Sequence, residues 1–121
     1  MPKNHTLIDA YFRFLNFAEE TQELPTFPRL DAVEGQLLQL IAKSWREGRP
    51  LSVTETIQTS GIGSPATLHA RLKRLRAKGL VELRILEDAR CKQVVPTPET
   101  LDYFLSLGEC MQKATAALNI G

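Results

Sequence analysis

The N-terminal segment has an apolar pattern that is wider than a single helical stripe. Apolar side chains recur at positions 8, 11, 12, 15 and 18, which is the spacing of an amphipathic helix. Phe14 and Phe17 lie outside this stripe and widen the apolar sector. We therefore predict a helix over residues 5–21 whose aromatic side chains need more than their own domain to cover them. Pro25 and Pro28 disfavour helix in the segment that follows, which we predict to be an extended linker.

Capping signals predict two further helices. Asp31 with Glu34, and Ser52 with Glu55, each place an N-cap residue three positions before a reciprocal acidic partner. The second of these helices is short and runs through about Thr59. The first has a core face at helical spacing that consists of Leu37, Leu38, Leu40, Ile41 and Trp45.

Ser64-Pro65 opens the next helix, because serine is a good N-cap and proline fits the first helical position. The buried stripe of this helix and the glycine that ends it are Leu68, Leu72, Leu75 and Gly79. Residues 80–86 then alternate between apolar and polar side chains, which predicts a strand, and residues 92–95 return as a second strand. Thr97 caps a final helix over residues 98–119.

The predicted order of helix, helix, short helix, helix, hairpin and helix is the winged helix-turn-helix arrangement, a mainly α (α+β) fold. Across about residues 30–100 the sequence resembles the multiple-antibiotic-resistance regulator (MarR) family, at the motifs Leu51-Ser-Val-Thr-Glu, Gly63-Ser-Pro-Ala-Thr-Leu, Leu72-Lys-Arg-Leu-Arg-Ala-Lys-Gly-Leu-Val-Glu and Asp88-Ala-Arg90. We expect one winged-helix domain over residues 1–121, with its core over 30–97 and dimerisation helices over 5–21 and 98–119. The resemblance implies a dimeric DNA-binding transcriptional regulator of bacterial type. Some members of that family bind a small phenolic effector, but no residue of this chain matches such a ligand site.

Charge is sorted along the chain, although the net charge of the 121 residues is only +1. Residues 64–92 contain eight basic and three acidic side chains, which gives this segment +5 and leaves −4 for the rest of the chain. Such sorting is expected where one surface meets a polyanion, but an ordinary solvated basic helix would show it too. Two of the basic residues, Arg71 and Arg76, lie near the predicted core margin and are expected to pack or pair within the protein.

The helix that begins at Ser64 has an outward face suited to the major groove of DNA. With the leucines inward, a wheel at about 100° per residue turns Ala66, Ala70 and Lys73 outward. Small alanines allow close approach to the groove floor, and His69 and Lys73 can donate to base acceptors. The helix N-terminus at Ser64 favours a phosphate. From this helix we predict DNA contacts at Ser64, Ala66, Thr67, His69, Ala70, Lys73 and Arg74.

The predicted hairpin carries a candidate minor-groove residue. Arg90 lies at its tip, and the negative potential of the minor groove attracts an arginine in that position. Asp88, two residues earlier, can hold the Arg90 side chain by a charge-assisted hydrogen bond. Arg84 and Lys92 are predicted phosphate contacts, which add affinity without sequence choice. The alternative for Asp88 and Arg90 is an exposed turn with an incidental ion pair.

The two terminal helices together present more apolar surface than a domain of this size needs. A two-fold dimer would bury that surface and place two reading helices about 34 Å apart, one turn of DNA. The alternative is intramolecular packing of both helices on the winged core. The predicted dimerisation residues are Tyr11, Phe12, Phe14, Leu15, Phe17, Phe104, Met111 and Leu118.

No residue set in the sequence indicates an enzyme. His5, His69, Cys91 and Cys110 lack metal-ligand spacing, so we expect neither a metal site nor a cofactor. The absence of a membrane span, a signal peptide and a disulfide scaffold predicts a cytoplasmic protein. Cys91 is either a passive surface thiol or a redox switch activated by its basic neighbours, and Cys110 is a core or interface residue.

Two other functions fit the same residues. A winged-helix module could bind another protein through the reading helix or the hairpin, and a replication or partition factor could use the same scaffold on DNA. The salt dependence of binding affinity distinguishes the protein-binding module from the two DNA-binding hypotheses. Neutralising several phosphates makes affinity fall steeply between about 50 and 200 mM salt, whereas an apolar protein contact changes little.

Overall fold

The computed structural model describes residues 2–85 and 92–116. The elements, in chain order, are α1 (Pro2–Gln22), α2 (Ala32–Arg46), α3 (Val53–Thr59), α4 (Pro65–Ala77), β1 (Val81–Ile85), β2 (Lys92–Pro96) and α5 (Pro98–Ala116). The two strands form one antiparallel sheet, in register from Val81 opposite Pro96 to Ile85 opposite Lys92. This is a mainly helical winged helix, and the predicted fold class is confirmed.

Leu30–Leu101 forms one compact unit, called here the winged unit. In it α2 packs against α4 and β2, α3 packs against the same two elements, and β1 packs against α4. The predicted capping boxes at Asp31 and Ser52 are both present, so each helix begins where its local sequence indicates. The core of the unit consists mainly of Leu37, Leu38, Ile41, Leu68, Leu72, Leu75, Val94 and Val95.

The connection from α4 to β1 is fixed by hydrogen bonds to the chain that follows β2. Gly79 adopts a left-handed conformation with φ 75°, and Leu80 N donates to Leu75 O at 2.9 Å, which closes α4 with a glycine cap. Thr97 Oγ1 donates to Gly79 O at 2.7 Å, and Thr100 Oγ1 donates to Leu80 O at 2.5 Å. The end of α4 and the start of β1 are therefore tied to the residues at the start of α5.

The described parts of residues 1–29 and 102–121 form the second unit, called here the terminal unit. Arg13 Nε donates to Ala114 O at 3.2 Å, Thr21 Oγ1 lies 3.4 Å from Cys110 Sγ, and the Phe27 ring packs on Tyr103. As the residue number rises from 13 through 21 to 27, the number of the partner residue falls from 114 through 110 to 103, so α1 and α5 pack antiparallel. Cys110 is buried in this unit, where the sequence predicts a core or interface residue.

The segment between α1 and α2 differs from the extended linker that the sequence predicts. Phe27 N donates to Leu24 O at 3.0 Å, which closes a turn. Pro25 occupies the second position of that turn, where its fixed φ is favourable. The two prolines do exclude helix, but one of them promotes a turn instead of an extended chain. No helix among the described residues is long and apolar enough to cross a membrane.

Candidate nucleic-acid interface

The start of α4 is built as its sequence predicts. Ser64 is the N-cap, with extended backbone angles (φ −68°, ψ 156°), and its Oγ accepts a hydrogen bond from Thr67 N at 3.2 Å. Pro65 occupies the first turn, where a missing N–H costs nothing. Ser64 Oγ also donates to Thr67 Oγ1 at 3.0 Å, so the two hydroxyl side chains fix one another at the exposed end of the helix.

The side chains of α4 are divided into a buried and an exposed face. Leu68 and Leu75 are completely buried and Leu72 nearly so. On the opposite side Ala66, Ala70 and Ala77 form an exposed line of small residues. Around that line Ser64, His69, Lys73 and Arg74 are exposed and Thr67 is half-buried. The predicted reading-helix residues thus share one accessible surface; their contact with DNA stays a prediction.

On one side of the alanine line lies the α2-facing flank, which consists of Arg71, Arg74 and Lys78. Their spacing of three and four residues puts them on one side of α4, opposite the first turn of α2. Arg71 Nε lies 2.8 Å and Arg74 Nη1 lies 3.7 Å from Asp31 Oδ2. Lys78 Nζ donates to Glu34 Oε2 at 2.6 Å. Three basic residues of α4 and its C-cap are therefore paired with two acids at the start of α2.

These ion pairs bear on two predictions. Arg71 pairs within the protein, as the sequence predicts. Arg74, predicted to contact DNA, is in an ion pair with Asp31 in the free protein. The pairing of Lys78 with Glu34 was not predicted, because the sequence indicates only a capping box for Asp31 and Glu34. The signal that could have found it is the row of bases at i, i+3 and i+7.

Both acids have their pKa lowered. The backbone N–H of Glu34, which donates to Asp31 Oδ1 at 2.7 Å, is the main reason that the pKa of Asp31 lies below its ordinary value, and Arg71 and Arg74 add to it. Burial alone would raise the pKa of Glu34. The hydrogen bonds from Lys78 and from Asp31 N outweigh that burial, so the pKa of Glu34 is also lowered. Both carboxylates are therefore charged at neutral pH.

On the other side of the alanine line lies the groove-facing flank, which consists of His69, Lys73 and Arg76. These residues line an open groove of about 310 Å³ together with Val53 of α3 and Leu83 of β1. Arg76 was expected to pack or pair, but it is exposed and has no ion pair with any described residue. Residue 76 lies about 140° around α4 from residue 71, so the acids of α2 that face Arg71 do not reach it. Lys73 and Arg76 therefore give this flank positive charge that is unpaired within the part of the chain that the structure describes.

The sheet carries the remaining predicted contacts. Arg84 on β1 and Lys92 on β2 are both exposed. In the register of the sheet Arg84 lies opposite Gln93, and Lys92 lies opposite Ile85. The predicted wing residues Asp88 and Arg90, together with Cys91, lie outside the described residues. Across residues 2–85 and 92–116 no group of three or more His, Cys, Asp or Glu side chains could hold a metal ion.

A family model decides the classification of the winged unit. The model described as the LexA DNA binding domain matches residues 30–90, which is half of the chain. The chain belongs to the LexA DNA binding domain family. The matched residues include the whole of α2, α3, α4 and β1, so the LexA-type region is a DNA-binding domain. No curated protein sequence matches the chain.

Solved structures show that this LexA-type domain lies in a chain with the MarR-like fold. A MarR-like transcriptional regulator from Thermotoga maritima superposes with a TM-score of 0.64 at 16% identity, over 97% of this chain and 78% of that chain. The heme sensor protein PefR from Streptococcus agalactiae, in complex with heme, superposes with a TM-score of 0.58 at 15% identity, over 99% of this chain and 78% of that chain. YusO from Bacillus subtilis superposes with a TM-score of 0.56 at 17% identity, over 98% of this chain and 76% of that chain. The predicted resemblance to MarR regulators is confirmed for the fold.

Proposed function

We propose that the protein is a sequence-specific, double-stranded DNA-binding transcriptional regulator of bacterial type that acts as a dimer in the cytoplasm. The observation that carries the proposal is the exposed face of α4. Two alanines lie at its first outward positions, three buried leucines lie behind it, and unpaired basic side chains flank it. An α-helix with small outward residues fits the major groove closely enough for its neighbouring donors to reach base edges.

Each contact has a distinct role in this proposal. His69 and Lys73 donate to base acceptors, while Ala66 and Ala70 contact thymine methyl groups. The N-terminus of α4 receives a phosphate at Ala66 N–H, because Pro65 has no N–H and that of Thr67 is bonded to Ser64 Oγ. Thr67 contacts a base or a phosphate. Arg84 and Lys92, exposed on the sheet, bind phosphates, and Arg90, held by Asp88, enters the minor groove.

The terminal unit supplies the proposed dimer interface. On α1 the side chains of Leu7, Ile8, Tyr11 and Phe12 are each at least half exposed, and on α5 so is Met111. The other predicted interface residues are less accessible or lie outside the described residues: Phe14, Leu15, Phe17 and Phe104 are half-buried, and Leu118 is beyond the described part of α5. Exposed apolar surface of this extent is typical of a protein–protein contact. A two-fold dimer would set two α4 helices about 34 Å apart, on successive turns of one face of the duplex. The Thermotoga maritima relative is itself a MarR-like transcriptional regulator.

The test is selection of bound duplexes from a random pool, followed by titration of the enriched site with two matched variants. Lys73→Ala should weaken binding by about tenfold, which corresponds to the loss of one base contact. Lys43→Ala removes the same charge from the exposed side of α2 and should leave affinity within about twofold. Affinity should also fall steeply between about 50 and 200 mM salt.

A symmetric enriched motif would support the dimeric regulator. Absence of any enriched duplex, or equal effects of Lys73→Ala and Lys43→Ala, would contradict it. Shallow salt dependence would favour the protein-binding module instead.

A further inference from the structure

Asp31 is shared between two arginines of α4 that differ in how firmly they are held. Arg71 Nε is 2.8 Å from Asp31 Oδ2, and its side chain is only 25% exposed. Arg74 Nη1 is 3.7 Å from the same oxygen, and its side chain is 55% exposed. Arg71 is thus the close partner of Asp31, whereas Arg74 is a loose one with access to solvent.

The position of Arg74 makes this loose pair relevant to DNA. Residue 74 lies about 60° around α4 from Ala77 and about 40° from Ala70, so it borders the exposed alanine line. A phosphate that approaches this border meets Arg74 while Arg74 is in contact with a carboxylate. An exposed ion pair of this kind contributes little free energy, so a phosphate can exchange with the carboxylate.

We propose that Asp31 is a positioning residue of the DNA interface: anchored by Arg71, it competes with DNA phosphate for Arg74 and so limits the number of phosphates that α4 neutralises. This inference rests on the proposed function, because it assumes that α4 lies along the duplex. Asp31 then has two separate roles, one through its Oδ1 as the N-cap of α2 and one through its Oδ2 as an intramolecular anion.

Asp31→Asn separates these two roles. Asparagine is an N-cap as good as aspartate, so the hydrogen bond from Glu34 N is retained while the negative charge is removed. With Arg74 released, binding to the selected duplex should be about two- to fivefold tighter at 50 mM salt. The slope of log affinity against log salt should become steeper by about 0.9 for each α4 on the DNA.

The control for net charge is Glu47→Gln at the opposite end of α2. Glu47 is about as exposed as Asp31 and is paired with Arg49 at 3.6 Å, so its loss removes the same charge from the same helix. Glu47→Gln should change the affinity for the selected duplex and the salt slope by less than Asp31→Asn does. Arg74→Ala in the Asp31→Asn background should abolish both the gain in affinity and the gain in slope.

The outcomes are decisive for the inference. Weaker binding by Asp31→Asn, with thermal denaturation showing a folded protein, would mean that Asp31 presents Arg74 to DNA and would overturn the competition. Equal effects of Asp31→Asn and Glu47→Gln would reduce the role of Asp31 to net charge and overturn it too. If Lys73→Ala weakens binding while the Asp31 variant behaves as wild type, only this inference fails. If neither variant matters, the proposed function fails.

Discussion

Lys78 Nζ lies 2.6 Å from Glu34 Oε2, and this ion pair joins the C-cap of α4 to the first turn of α2. The Glu34 side chain is almost completely buried, and its other carboxylate oxygen accepts a hydrogen bond from Asp31 N at 3.0 Å. Both oxygens of the carboxylate are therefore bound. A buried charge compensated in this way holds the two helices in one relative position, because a shift of either would leave it unpaired.

Stability should consequently fall in acid through Glu34. The pKa of Glu34 is lowered in the folded protein from its ordinary value of 4.5, because the hydrogen bonds from Lys78 and Asp31 outweigh its burial. The stabilisation is therefore complete above pH 4.5 and is lost as the pH falls through the lower pKa of the folded state. Glu34→Gln should flatten this part of the pH profile of the free energy of unfolding, measured with urea between about pH 3 and 7.

Lys78→Met provides the control on the sign of this effect. At neutral pH it leaves a buried carboxylate without its cation and should cost about 2–3 kcal/mol. The cost should shrink in acid, where Glu34 is neutral and needs no partner. An equal cost of Lys78→Met at pH 3 and pH 7 would contradict the assigned role of Glu34.

Close approach of α4 to the groove floor can be tested with added bulk at the alanine line. Ala66→Leu should weaken DNA binding by tenfold or more, because the larger side chain occupies space that the duplex needs. Ala77→Leu is the matched control, because Ala77 is exposed on the same line but lies about 16 Å further along the helix. Leucine and alanine have similar helix propensities, so neither change should move the thermal midpoint appreciably. Equal losses of affinity would place the duplex elsewhere on the helix.

Elements fixed by local chemistry could be predicted from the sequence, and their relative placement could not. The capping boxes at Asp31 and Ser52, the proline start of α4 and its glycine end each depend on neighbouring residues, and each lies where predicted. The exposure of Ala66 and Lys73 also follows from helical period alone. Position along a helix is enough to determine these features.

The α2-facing flank shows what the sequence leaves out. Asp31 and Glu34 have a complete local explanation as a capping box. The row of bases at positions 71, 74 and 78 indicates that α4 has a basic side, but which element that side faces depends on how α2 and α4 pack. For the same reason the sequence predicts that Arg74 contacts DNA and that Arg76 packs or pairs within the protein. In the structure Arg74 is paired, and Arg76 is exposed and has no ion pair among the described residues. The segment charge of +5 therefore overstates what α4 offers to DNA.

Two glycines should respond in opposite ways to the same substitution. Gly79→Ala should destabilise the protein by about 1–2 kcal/mol, because alanine at φ 75° is strained even where no atom lies within 4 Å of the new Cβ. Gly35→Ala in α2 meets no atom within 4 Å either, but it lies inside a helix, and it should stabilise by about 0.5–1 kcal/mol. Urea unfolding measures both. Changes of the same sign would contradict the backbone explanation.

The proposed dimer interface can be tested with two leucines of the terminal unit. Leu7 is 62% exposed on α1, one turn before Tyr11 on the same side, and Leu24 is 53% exposed in the turn that follows α1. Leu7→Ser should raise the dimer dissociation constant by at least tenfold, because each copy loses about 1.5–3 kcal/mol of apolar burial and a two-fold interface counts the loss twice. Leu24→Ser removes a side chain of equal size and similar exposure outside the helix face and should leave the constant unchanged. Sedimentation equilibrium over a range of concentrations measures both, and the DNA affinity of Leu7→Ser should fall where its dimer dissociates. A monomeric wild-type protein, or equal dissociation constants for the two variants, would contradict the proposal that the exposed face of α1 forms the dimer interface.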